Sequence, residues 1–470
     1  MLSARFAQDQ RTTGDGKEDQ GAASDGWEGW EPECVGAVQA PRRRRDPRVL
    51  LVATLRWPLA ARLAIAFRKL GCTVQAWCPE GHPLHKTRAV EHTYPGSVLR
   101  PQRSLMAAIS AAAPDFVIPC DDDAALHLQR LHQHGSSSGR AAPGDADAVL
   151  KRLLERSLGS PAGCALATNR DALMRLAAQQ GVRIPPSGRL AIPDDLDEWA
   201  TRYGFPAVLK LDHSWGGQGV AIVADIDQAH CALQNAMRPL LRPALMQWLL
   251  RRDPSQLLRR FRSGPPAVTV QKLVVGHPAN RAVACWQGEV LAGISVSALQ
   301  TQGPTGPATV VQIIDSTEMS EAAIRMVRAL GLSGFCGLDF VIEASTGAAY
   351  MIEVNPRATP ISHLASAEGL DLPAALHARL LGEPPPVGAY PADASAVIAM
   401  FPGEWRRNQA SPYLRTAFHD VPWAEIDLVN DCLEPIWEQR GLAARIRARL
   451  WPARLPGRVV KGATSIEHSG

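Results

Sequence analysis

Two carboxylates and an amide fall on one side of a short hairpin between residues 337 and 357, GLDFVIEASTGAAYMIEVNPR. In its first run Asp339, Val341 and Glu343 alternate with Leu338, Phe340 and Ile342. In its second, Glu353, Asn355 and Arg357 follow at i, i+2, i+4, the spacing that puts side chains on one face of an extended chain. Pairing Glu343 with Ala349 around a loop that holds Gly347 sets Asp339 directly opposite Glu353. A loop one residue shorter would send the two acids to opposite faces, because a one-residue slip flips every side chain of a strand. Hard cations such as Mg²⁺ take oxygen ligands from one or two carboxylates together with substrate phosphates, and Asp339, Glu353 and the Asn355 amide offer that donor set. Arg357 adds a planar fork suited to phosphate oxygens. The same hairpin also reads as a polar sheet face in water, turned at Ser345, Thr346 and Gly347.

A second group lies upstream. Residues 205–223, FPAVLKLDHSWGGQGVAIV, read as a strand, a glycine-rich turn and a returning strand. The first run is apolar except for Lys210, and a charge inside a strand needs a partner. Only seven of the chain's 50 Lys and Arg residues are lysines, so a lysine here is not what the composition supplies by default. Gly216, Gly217 and Gly219 free the backbone to approach a ligand closely, with N–H groups turned inward as an anion nest. Taken alone, the glycines equally describe a plain hairpin.

With these motifs, and in this order, the chain resembles the ATP-grasp superfamily over residues 168–382. A capped helix from 168 to 180 precedes the Lys210 strand and its glycine loop, VTVQKLVVG follows at 268–276, and the acidic hairpin comes last. The hairpin motif resembles most closely the carbamoyl-phosphate-synthase and carboxylate–amine ligase branches. The resemblance implies a small parallel α/β pre-grasp domain followed by a two-subdomain ATP-grasp fold, α/β and α+β in class. It also implies an enzyme that uses ATP and Mg²⁺, with Mn²⁺ able to stand in, to activate a carboxylate as an acyl phosphate for attack by an amine or other nucleophile. Carried over residue by residue, it puts Lys210 on the α- and β-phosphates and Arg170 beside the nucleotide, with Gly216, Gly217 and Gly219 as the loop above the phosphates. Gln271, Lys272, Leu273 and Val274 become the hinge against adenine, Asp339, Glu353 and Asn355 the metal ligands, and Arg357 the catalytic arginine facing the transferred phosphoryl group. One departure stands out: near Pro278 and Asn280 many members carry an acid for the ribose hydroxyls, and none occurs here.

At 470 residues with 46% hydrophobic composition, the chain is long enough for two or three cored domains. Residues 1–46 hold Gly, Asp, Glu, Gln and Ser with a cluster at Arg42, Arg43, Arg44 and Arg45, which reads as a disordered tail without a signal-peptide core. Residues 47–145 alternate strand and helix patterns (VLLVA, TVQAWC, DFVIPC) and form the expected parallel sheet. They lack the G-x-G-x-x-G turn of a dinucleotide site. Asp121, Asp122 and Asp123 follow a strand's carboxyl end, where α/β proteins build ligand sites, but read more simply as an exposed helix start. A linker rich in Ser, Gly and Asp spans 132–147, the grasp domain 146–382, and a family-specific region 383–470 with a strand at 396–401.

Residues 238–262 insert seven arginines and one acid among Leu, Met246, Trp248 and Phe261, and residues 441–451 repeat the mixture with Arg445, Arg447 and Arg449. Such faces lie over a core more often than on a membrane surface, so membrane contact is the less favoured reading. The net charge of +4 is small for the length and argues against nucleic acid as a partner. Nine cysteines stand singly with no C-x-x-C pair, as in a reduced, cytoplasmic protein without zinc. The expected partners are therefore small-molecule carboxylates and nucleophiles, with room for a homo-oligomer. His363 and residues 300–312 are positional candidates for acceptor contacts. Bicarbonate activation of the carbamoyl-phosphate type is disfavoured by the single grasp unit and the lack of a glutamine-hydrolysing motif; a nucleotide-binding regulator without turnover is the alternative from another class.

Overall fold

The structure, a computed structural model, describes residues 46–97, 99–134, 145–190, 192, 194–211, 219–237, 267–303, 306–364, 371–384 and 396–434. Its first sheet is built from β1 (Arg48–Val52), β2 (Thr73–Cys78), β3 (His92–Pro95) and β4 (Phe116–Pro119). Helices α1 (Leu59–Lys69) and α2 (Pro101–Ala112) lie between these strands, and α3 (Asp122–His134) follows them. The strand order is β3-β2-β1-β4 and every pairing is parallel. β1 and β4 are buried on both faces, which is why they read as continuous apolar runs rather than alternating ones.

Helices α4 (Asp145–Leu158) and α5 (Pro161–Ala167) carry the chain onward. Gly163 of α5 lets two backbones touch, since a Cβ there would lie 1.6 Å from the Leu330 carbonyl oxygen. Helix α6 (Arg170–Gln179) opens one residue later than the sequence suggests. Thr168 donates its hydroxyl to the Ala165 carbonyl at 2.8 Å and closes α5, so the cap falls to Asn169, whose side chain accepts from the Ala172 N–H at 3.1 Å.

The next unit holds β5 (Ser187–Leu190), α7 (Asp194–Tyr203), β6 (Ala207–Leu211), β7 (Val220–Val223), α8 (Ile226–Met237) and β8 (Val268–Lys272). It forms an antiparallel sheet of order β5-β8-β6-β7 around its own core of Leu196, Trp199, Leu209 and Val270. Most of the glycine loop (212–218, including Gly216 and Gly217) and the basic insertion at 238–262 lie outside the described residues.

The largest sheet comprises β9 (Gly276–Trp286), β10 (Glu289–Thr301), β11 (Ala308–Ile314), β12 (Gly334–Glu343), β13 (Ala349–Asn355), β14 (Val397–Ala399) and β15 (Phe418–His419), in the order β13-β12-β9-β10-β11-β14-β15. Helix α9 (Thr317–Leu330) buries Met319, Ala322, Ala323, Met326, Val327 and Leu330, a stripe at helical spacing. It is capped by Ser316 and ended by Gly331 at φ 60°. Helix α10 (Leu372–Leu381) packs with β9 and α1. The parallel sheet and its helix α1 dock on this large one through aromatic contacts: Phe67 of α1 meets Phe335 edge-on at 6.1 Å and Phe116 of β4 stacks on Trp286 at 5.8 Å. Short helices α11 (Gly403–Arg407), α12 (Tyr413–Thr416) and α13 (Ile426–Leu433) accompany β14 and β15. Residues 1–45 and 435–470, with the expected tail and the arginine-rich helix at 441–451, lie outside the described residues. Among the described residues no helix is long and apolar enough to cross a membrane.

Candidate active site

Asp339 pairs directly with Glu353, as the sequence requires, but by a different route. Near the turn the register is Ile342 with Ala349, one residue off the Glu343–Ala349 pairing expected from the loop. Continued regularly, that ladder would oppose Asp339 to Ile352 and separate the two acids. A bulge between Asp339 and Phe340, with Ile352 as the extra residue of β13, corrects the slip and returns both acids to one face. On the other side of β12 Asp339 pairs with Asn280 of β9, so Asn280, Asp339 and Glu353 stand in a row across three strands. The Asn280 amide donates to Asp339 Oδ1 at 2.6 Å and the Asn355 amide to Asp339 Oδ2 at 2.8 Å.

Pro356 cannot extend the ladder, so β13 ends at Asn355 and the chain turns, with the Arg357 N–H on the Asn355 carbonyl at 2.8 Å and the Ala358 N–H on the Pro119 carbonyl at 3.1 Å. This turn carries Arg357 to the carboxyl end of β4. There its Nε donates to Asp122 Oδ1 at 2.6 Å and its Nη2 to Asn355 Oδ1 at 3.1 Å. The acids at 121–123 are thus more than an exposed helix start. Asp121 is 1% exposed and accepts from the backbone of Thr54, Leu55 and Ala124 and from the Thr54 hydroxyl, locking the loop after β1, while Asp122 orients Arg357. The strand-end position signalled them; the partners were invisible until the two sheets docked.

Arg170, the first residue of α6, joins two sheets. Its Nη2 meets Glu353 Oε1 at 2.9 Å and its Nη1 donates to the Leu211 carbonyl at the end of β6. Lys210, one residue earlier on β6, is 8% exposed. Burial pulls its ammonium down to about 8, with the Glu353 charge opposing that fall and Arg170 adding to it. Burial and the neighbouring Glu353 push Asp339 up to about 6, against the two amide hydrogen bonds. Burial would lower Arg357, but Asp122, Asp339 and Glu353 outweigh it and hold the guanidinium above its ordinary value. Three acids (Asp122, Asp339 and Glu353), two amides (Asn280 and Asn355) and three cations (Arg170, Lys210 and Arg357) therefore meet where β6, β9, β12, β13 and the end of β4 converge.

The remaining expected residues are placed as follows. Gln271 is buried, pairs with Ser187 and Val208, and donates to the Ser187 hydroxyl at 3.0 Å. Lys272 donates through Nζ to the Tyr203 carbonyl and so faces away from the acids, while Leu273 and Val274 follow the end of β8 half-buried. Pro278 is exposed and Asn280 is occupied with Asp339, so no acid stands at either place. His363 does not join this group: its ring, 6% exposed, bonds Asp420 at 2.8 Å, and Arg62 grips the same carboxylate. That cluster ties α1, the chain after Arg357 and the end of β15 together.

The donor set fits a hard cation: two facing carboxylates, with amides beside them, and one carboxyl raised by burial and by the charge of the other. Among the described residues no group of three or more His, Cys, Asp or Glu is placed to hold a metal ion by itself; a pair of carboxylates is what Mg²⁺ habitually shares with phosphates.

Residues 169–380 match the sequence family described as the carbamoyl-phosphate synthase L chain, ATP binding domain. The chain is 24% identical over 224 residues to the carbamoyl phosphate synthase large chain of Xylella fastidiosa, covering 45% of this chain and 19% of that one. To the corresponding large chain of Halobacterium salinarum it is 28% identical over 234 residues, covering 44% and 20%. It thus spans about a fifth of the length of these curated relatives. The fold is similar to the biotin carboxylase domain of Hydrogenobacter thermophilus 2-oxoglutarate carboxylase, with a TM-score of 0.51, 16% identity, and 72% of this chain and 70% of that one covered. It is equally similar to N5-carboxyaminoimidazole synthase from Aspergillus clavatus, with a TM-score of 0.51, 14% identity, and 75% and 81% covered. Residues 169–380 are therefore similar to the ATP-binding domain of the carbamoyl-phosphate synthase large chain, and a small parallel α/β unit precedes them.

Proposed function

We propose that this chain is an ATP-dependent ligase that activates a carboxylate as an acyl phosphate for attack by an amine or another nucleophile. The observation that carries the reading is the convergence of Lys210 and Arg170 with the facing pair Asp339 and Glu353 and with Arg357. Two relatives of this fold are described with ADP, one as its magnesium salt beside bicarbonate and one beside an aminoimidazole ribonucleotide. Asp339, Glu353 and Asn355 would hold Mg²⁺, or Mn²⁺ in its place. The metal would spread the charge of the phosphates that it binds. Lys210 holds the inner phosphates with Arg170 beside the nucleotide, and residues 271–274 receive the adenine. The substrate carboxylate attacks the γ-phosphorus, ADP leaves, and Arg357, fixed by Asp122 and Asn355, faces the transferring oxygens. The amine then displaces inorganic phosphate from the acyl carbon. No side chain needs to act as nucleophile.

The same reading assigns residues 47–145 to a pre-grasp domain, 146–382 to the grasp domain and 383–470 to a family-specific region. Seven of the eight described cysteines are buried in the core, which supports a reducing, cytoplasmic setting.

Screening pools of carboxylates and amines for Mg²⁺-dependent ADP release tests the proposal. Release that needs both a carboxylate and a nucleophile supports it. The missing ribose acid at Pro278 and Asn280 favours a second reading, a nucleotide-binding regulator, and ATP binding with no release in any pool would establish that reading instead.

Lys210→Ala should weaken ATP binding by at least about tenfold, roughly 1.4 kcal/mol, the scale of a lost charged phosphate contact. Because the free Lys210 ammonium sits at about 8, ATP affinity of the parent should fall as pH rises above 8. Lys210→Arg keeps its charge and should bind ATP with a flatter profile. Calorimetric titration from pH 7 to 9.5 measures both; equal slopes in parent and Arg variant would remove Lys210 from the phosphates.

A further inference from the structure

Asn280 is not among the residues that the hairpin motif points to, yet it stands directly opposite Asp339 across β9 and β12. Its amide orientation follows from chemistry: an ionised carboxylate only accepts, so the group facing Asp339 Oδ1 at 2.6 Å must be the Nδ2 donor. The Asn280 Oδ1 is then left buried with no hydrogen-bond partner. A buried carbonyl oxygen without a donor costs free energy, and such orphans in a folded protein call for an explanation. This one is carried by the same amide that grips a carboxylate of the candidate cation site. Water kept by a hard cation donates to acceptors, and a cation itself takes amide oxygens.

We propose that Asn280 is a fourth member of this cation site, holding Asp339 through Nδ2 and giving its Oδ1 to the cation or to a water that the cation keeps. The inference rests on the ligase reading above, because it presumes that Asp339 and Glu353 bind a divalent cation. It also accounts for the absence of an acid at this position. A third carboxylate in the row with Asp339 and Glu353 would crowd a third negative charge onto one buried face, whereas an amide adds an oxygen without adding charge. The residue is positioned by the pairing of β9 with β12 on one side and β10 on the other, and 59 residues separate it from Asp339.

The test uses the full chain, Mn²⁺ as the probe, ADP at fixed concentration, and free Mn²⁺ read by electron paramagnetic resonance. Glu353→Gln defines the site: the parent should bind Mn²⁺ at least about tenfold more tightly than this variant. Asn280→Ala should weaken Mn²⁺ binding by about 10–100-fold, the usual cost of removing a group that orients a metal ligand. Asn280→Asp separates an oxygen donor from a mere prop. As an oxygen donor it should bind Mn²⁺ at least as tightly as the parent and show a larger Mn²⁺-induced rise in melting temperature, since two facing carboxylates repel until a cation joins them. Were Asn280 only a prop, Asn280→Asp would lose Mn²⁺ as Asn280→Ala does, and that result overturns the proposal. Should Asn280→Ala fail to fold, Asn280→Asp decides alone on the same criterion. A Glu353-dependent Mn²⁺ site indifferent to both Asn280 variants overturns this inference and leaves the ligase reading standing. A parent chain with no Glu353-dependent site overturns the metal reading and this inference with it.

Discussion

Asp339→Asn and Glu353→Gln should each leave a folded protein whose Mg²⁺-dependent ADP release falls by a factor of about 10³ or more, the scale of removing a charge-stabilising group from a transferring centre. Both substitutions keep shape and hydrogen-bonding reach while deleting the negative charge that a cation needs. Neither residue belongs to the apolar core, so the loss should not come from unfolding. Stability supplies an independent check. The Asp339 carboxyl is raised above its ordinary value by burial and by Glu353, so between about pH 4 and 6 the folded chain holds a proton there that the unfolded chain has released. Stability from this group is thus greatest at low pH and declines as pH rises through 6. Melting temperatures of the metal-free parent should show that decline, and Asp339→Asn should lack it. Full turnover by either variant would remove the metal assignment.

Arg357→Ala should lower kcat by about 10³-fold or more while changing the KM for ATP little, because the guanidinium is held for the phosphoryl group in flight rather than for the bound nucleotide. Its position depends on Asp122 from the parallel sheet and on Asn355 from β13. Lysine should not rescue activity, since a point charge cannot bond both partners and still offer a planar fork to phosphate. Arg357→Ala also strips Asp122 and Asn355 of a partner, which should cost about 1–3 kcal/mol of stability. Single-turnover kinetics beside thermal melts measure both effects, and a variant with raised KM and unchanged kcat would move Arg357 from the reacting group to nucleotide binding.

The two faces of β12 and β13 were legible because alternation has a period of two, and the parallel sheet because β1 and β4 are apolar on both sides. Lys210 was legible as a charge in a strand with no local partner. The residues that complete the site were less so. Asp122 carried a positional hint at a strand end, yet its bond to Arg357 spans 235 residues. Asn280 was marked only as a place where an acid is missing, and nothing along the chain signalled its contact with Asp339.

The amino-acid sequence by itself determined which short stretches form strands and helices and which side of each is polar, because propensity, capping and periodicity act between near neighbours. It also determined that Asp339 and Glu353 must share a face if they are to act together. How they come to share it was decided only by the tertiary structure. The turn sets a register one residue off, and the Ile352 bulge repairs it where β12 is already held by β9. Arg170 bridging Glu353 to the end of β6, and Asp122 holding Arg357, arise in the same way. Those contacts exist only after separate sheets have docked, and no spacing along one chain encodes where two distant surfaces will meet.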